Sequence, residues 1–152
     1  MVLGCEFGDD RPEVAPNRNI GQYAIVQYVK GKTSPPNEAG NNSETVKALN
    51  YASGTSWRVM GVVGFSGSQI HIAADRPFGI RVGLVGYDSA HVVVADAYDE
   101  YSKRLHIVDP WYGCSKHWYD YDLLVKGVRI QSSGNNGPKA KWTHTFVSND
   151  VV

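Results

Sequence analysis

Cysteine is nearly missing from this sequence: Cys5 and Cys114 are its two thiols, and they lie far apart in the chain. That spacing excludes a disulfide framework and the paired spacings of zinc ligands, although one bridge between the two stays open. Charge of one sign is missing as well. Lys and Arg total 15, and Asp and Glu total 15, so no long-range field favours nucleic acid or an anionic membrane surface. No apolar run approaches the roughly 20 residues that a membrane-crossing helix needs, so no membrane span is expected. Met1 is followed almost at once by polar sequence, and no signal peptide is expected. A clipped export signal would leave the same sequence, so localisation stays open. What remains is 42% hydrophobic and 20% charged over 152 residues, which fits one globular domain with a sizeable core.

Residues 1–18 carry clustered charge with Pro12 and Pro16, and they read as an extended arm before a single domain over 19–152. Ile20, Tyr23, Ala24, Val26 and Val29 stand at roughly helical spacing, with Asn19 as cap and Gly31 as stop. Lys32 to Asn42 is a loop. A second helix is predicted from Ser43 to Ala52, with Gly54 after it. A third is predicted from Ser68 to Ala74, with Ile70 and Ala73 inward, ending before Pro77.

Past Pro77 the pattern turns to β. Phe78 to Val85, His91 to Tyr98 and Arg104 to Val108 are rich in Val and Ile, and polar turns between them predict an antiparallel meander. A one-turn helix is expected from Tyr121-Asp122, and further strands near Lys126 to Gln131 and Lys141 to Val147. Helices first and strands later predict an α+β fold with one antiparallel sheet.

The most informative segment is SAHVVVADAYDEYSKRLHIVDPW. It sets His91 at the start of one strand and Asp109, followed by Pro110 and Trp111, at the end of the next. In a hairpin those two ends are neighbours at one rim of the sheet. A carboxylate there accepts the hydrogen bond of one imidazole nitrogen and leaves the other to take a proton from a nucleophile. Trp111 is positioned to shield the pair and is the candidate substrate-binding residue. The other histidines, His71, His106, His117 and His144, need no more than packing or surface roles. With His91 they show no metal-ligand spacing, so neither metal nor cofactor is expected.

This segment, with DPWYG followed by WYDYDLL, resembles the papain-like cysteine peptidases of bacteria grouped with bacteriocin-processing peptidases and plant-pathogen effector proteases. GQYAIVQYVKG resembles their second helix, and SPPNEAGNNSETVKALNYAS their Pro-Asn loop and third helix. QIHIAADRPFGIRVG is similar to the passage before their histidine, and KWTHTFVS to their closing strand. The likeness covers roughly residues 19 to 148. It implies a papain-like fold, a peptide or protein substrate, His91 as general base and Asp109 as the residue that orients it.

In that family the nucleophile is a cysteine at the N-terminus of a buried first helix, where the helix dipole favours the thiolate. Cys5 stands at about the matching distance upstream. Its setting departs from the pattern: Glu6 occupies the usual tryptophan position, and Gly8, Asp9, Asp10, Pro12 and Pro16 do not suit a buried helix. No glutamine precedes Cys5 to serve the oxyanion. Two readings follow, a Cys5-His91-Asp109 peptidase and a catalytically degenerate papain-like domain that binds a peptide or protein partner. Without a central helix, apolar sheet surface would need cover from the arm or from a second copy, so a homodimer is a further expectation. Val2-Leu3-Gly4-Cys5 has the form of a lipidation box without its hydrophobic region. A carbohydrate-binding surface built on Trp111, Tyr112, Trp118, Tyr119 and Tyr121 is a third reading. Cys114, on the loop after Gly113, reads as a structural thiol.

Overall fold

In a computed structural model of the chain, the described residues are 22–31, 40–110, 115–130 and 136–149. They form a mixed α+β structure with four helices and a six-stranded antiparallel sheet. The described chain divides into two compact units. One holds the residues up to Val59 with Ser148 and Asn149; the other is Met60–Val147. The predicted arm over 1–18 lies outside the described residues.

In the first unit, helix α1 (Gln22–Lys30) stops where Gly31 takes a φ of 65°, as its glycine predicts. Helix α2 (Asn42–Ser53) starts from a capping box. The Asn41 side chain accepts from the Glu44 N–H, and the Glu44 carboxylate accepts from the Asn41 N–H, each at 2.9 Å. The helix closes at Gly54, whose left-handed backbone lets its N–H reach the Asn50 carbonyl. The pair is tied by Lys30 Nζ donating to Glu44 Oε1 at 2.8 Å and by Tyr28 stacked on Tyr51.

Glu44 therefore does two jobs, and its acidity records both. The Lys30 hydrogen bond, and after it the Asn41 N–H, hold its carboxyl below the usual range. A depressed folded-state pKa means that the stabilisation is complete above the ordinary glutamate value of about 4.3. It is lost as pH falls through the lower folded value. In urea titrations, Glu44→Gln is expected to flatten part of the loss of stability below about pH 4.5. Asn41→Ala is expected to cost about 1 kcal/mol at neutral pH. An unchanged urea midpoint for Asn41→Ala would show that the box does not hold the helix.

The sheet contains β1 (Trp57–Met60), β2 (Phe78–Leu84), β3 (Ala90–Asp99), β4 (Arg104–Asp109), β5 (Ser115–Asp120) and β6 (Ala140–Ser148). Its order is β1-β6-β2-β3-β4-β5. Strands β2 to β4 make the predicted meander, β5 extends it beyond β4, and β6 returns to the other side of β2. Helices α3 (Phe65–Ala73) and α4 (Tyr121–Lys126) complete the second unit. Alternation along the strands makes one face of the sheet the core. Ile80, Val82, Val93, Ala95, Leu105 and Ile107 are buried there together. Trp142 of β6 joins them, its ring stacked on Phe78 and edge-on to Tyr121.

Four elements differ from the sequence reading. Helix α3 starts a turn earlier than Ser68, and the row facing the sheet is Phe65, Ser68 and Ile72. Ile70 is 64% exposed and Ala73 is also outside, which reverses the predicted inward residues. The buried Ser68 hydroxyl is satisfied by donating to the Gly64 carbonyl. Strands β1 and β5 were not expected; both are sheet-edge strands, β1 just four residues long and largely exposed, and β5 carrying Lys116, His117 and Trp118 outside. No strand spans Lys126 to Ile130, because Lys126 ends α4 and Gly127 turns with φ 122°. Val128 makes just one bridge, to Ala140.

Candidate functional site

Two strand ends set the site. His91 is the second residue of β3, and Asp109 is the last of β4. The β3–β4 ladder pairs Ala95 with Ile107 and Val94 with Val108. One further step puts Asp109 opposite Val93, two residues from His91. The two side chains thus leave the same face as diagonal neighbours, close enough for an imidazole to reach a carboxylate. Pro110 follows directly and cannot continue the ladder as a donor, which fits the end of β4 at Asp109.

His91 Nε2 lies 2.6 Å from Asp109 Oδ1. The His91 side chain is 16% exposed and that of Asp109 6%, so the carboxylate is withdrawn from water while the ring stays at the rim. A neutral imidazole that donates from Nε2 carries its lone pair on Nδ1, the nitrogen turned away from Asp109. The Asp109 carboxylate thereby fixes the orientation of the His91 ring. Across the sheet, His91 pairs with Val82, and Val82 pairs in turn with Trp142. The strand that carries His91 is therefore backed by the buried side chains of Val82 and Trp142.

The structure thus brings together two of the predicted site residues, His91 and Asp109. Cys5, Trp111 and Cys114 lie outside the described residues. Among the described residues no group of three or more His, Cys, Asp or Glu side chains is arranged to hold a metal ion. No helix among them is long and apolar enough to cross a membrane.

A second histidine–carboxylate pair sits on the same hairpin and was not foreseen. His106 Nδ1 lies 2.6 Å from Asp96 Oδ1, on the face away from the core, with the His106 ring 5.1 Å from the Trp118 ring of β5. The sign that could have revealed it is Asp96 itself. It interrupts an apolar strand at a position where regular alternation would send a carboxylate inward.

No family model matches the chain, and no curated protein matches it.

Proposed function

We propose that this chain is a papain-like cysteine peptidase in which Cys5 is the nucleophile, His91 the general base and Asp109 the residue that orients the imidazole. The observation that supports it best is the His91 Nε2–Asp109 Oδ1 hydrogen bond at 2.6 Å between neighbouring strand ends. The α+β architecture and the likeness of residues 19 to 148 to that family point the same way. In the proposed reaction, His91 takes the Cys5 thiol proton and the thiolate attacks the peptide carbonyl. The C–N bond then breaks, the amine leaves with the proton from the imidazolium, and a thioester remains. Water, deprotonated by His91, cleaves the thioester and releases the acid. The partner is a peptide or protein substrate, and Trp111 is its proposed binding residue.

A second reading keeps the fold and a peptide- or protein-binding role but drops the chemistry. Glu6 beside Cys5 disfavours a thiolate, and this favours a domain that binds a peptide without cutting it.

Alkylation of the folded protein with iodoacetamide across a pH series, with each thiol read by mass spectrometry, separates the two. The peptidase reading expects Cys5 to react about tenfold faster than Cys114 near neutral pH, as a thiolate paired with an imidazolium does. Equal rates with the pH dependence of ordinary thiols would remove Cys5 as nucleophile and leave the binding reading.

A further inference from the structure

We propose that the Asp96–His106 hydrogen bond is a register lock that sets His91 and Asp109 on one face of the sheet, which makes Asp96 and His106 positioning residues. The proposal rests on the reading of His91 and Asp109 as the functional pair.

The β3–β4 ladder is regular at the turn end, pairing Asp99 with Arg104, Tyr98 with Leu105 and Ala97 with His106. It then skips a residue, and Ala95 pairs with Ile107. Asp96 is the extra residue, a bulge in β3. Side chains alternate with a period of two, so one inserted residue reverses the facing of everything beyond it in that strand. With the bulge, Asp109 falls opposite Val93, and His91 shares its face. Without it, the turn-end pairing would run on, Asp96 would oppose Ile107, and Asp109 would oppose Val94. His91 would then project from the sheet surface opposite to Asp109, and no hydrogen bond between them could form.

Hydrophobic pattern does not choose between these registers. Val92, Val93, Val94 and Ala95 are apolar on both faces, so either alternation buries a comparable row. The turn over 85–89 is long enough to absorb the compensating slip against β2. Asp96 makes the choice. In the unbulged register its carboxylate would enter the core beside Ile107, which is 2% exposed, and such burial of an unpaired charge is strongly disfavoured. In the bulge, its side chain is 31% exposed and accepts from His106 Nδ1 at 2.6 Å. The His106 ring is itself held against Trp118, so the clamp is anchored on three adjacent strands.

The test is the proton resonance of His91 Nε2–H, assigned by NMR in the full chain and its variants, with circular dichroism as the check on folding. Asp96→Asn keeps an acceptor for His106 and is expected to retain the resonance. Asp96→Val removes both the clamp and the penalty for facing inward, and is expected to lose the resonance while keeping its strand content. Deleting Asp96 makes Ala95 and Ala97 consecutive and yields a regular ladder with His91 and Asp109 still on one face. That deletion is expected to retain the resonance, an outcome that a merely stabilising role for Asp96 would not give. Retention in folded Asp96→Val, or loss in the folded deletion, overturns the proposal. If Asp96→Val does not fold, the deletion decides alone: retention supports the lock, and loss or failure to fold overturns it. The resonance reports geometry whether or not any peptide is cut. Absence of hydrolysis in every variant would therefore refute the peptidase reading and leave this result standing.

Discussion

Replacing His91 with alanine is expected to lower the rate of peptide hydrolysis by about 10³-fold without unfolding the protein. The size follows from the ring's two duties in the proposed reaction. It removes the thiol proton before attack, and it returns a proton to the leaving amine. Losing it removes both, along with the ion pair that would keep Cys5 as thiolate. Asp109→Ala is expected to cost less, about 10²-fold, because the base remains and only its orientation is lost. The measurement is release of fluorescence from a labelled unfolded protein, with alkylation of Cys5 followed in parallel. Both rates should fall together in His91→Ala. Hydrolysis that survives the substitution at an undiminished rate would remove His91 from the mechanism.

Trp142→Ala should destabilise the protein by about 3–5 kcal/mol, the largest loss expected from any single truncation in the second unit. The indole is 1% exposed and fills the space between Phe78 and Tyr121, with ring centroids 6.0 and 5.9 Å away. Its Nε1 is within 3.1 Å of both the His144 carbonyl and Thr145 Oγ1, so the polar edge is satisfied inside the core. Alanine would empty that space, and the surrounding strands could close it only in part. Trp142→Phe keeps most of the volume and forfeits the N–H, for an expected loss of about 1–2 kcal/mol. Urea denaturation measures both. A loss below about 1 kcal/mol for alanine would mean that the indole is not packed as described. Because Trp142 and His91 flank Val82 on one rung, the alanine variant should also weaken the His91–Asp109 hydrogen bond.

Much of the sheet was open to reading because its central strands are short runs of Val and Ile bounded by polar turns. The juxtaposition of His91 and Asp109 followed from the same evidence, since a hairpin fixes which ends meet. The sequence did not reveal how they come to share a face. Four apolar residues in a row, Val92 to Ala95, carry no alternation, and the bulge at Asp96 depends on the energy of one carboxylate rather than on a pattern. Helix α3 was misphased because Phe65 stands before Ser66 and Gly67, small and polar residues that read as loop. The Asn41-x-x-Glu44 spacing is a capping-box signature, and it places the start of α2 more closely than the apolar periodicity did. Strand β5 escaped because Lys116, His117 and Trp118 are all exposed and no apolar face marks it out.

That same polarity at β5 has a consequence for solubility. An end strand offers a row of backbone donors and acceptors to any passing extended chain, and a flat apolar one invites stacking into aggregates. Lys116 and His117 are exposed on that border, so a charged and a polar side chain flank the backbone groups that a stray strand would approach. The residues that hid β5 from view are thus its guard against runaway self-association during folding.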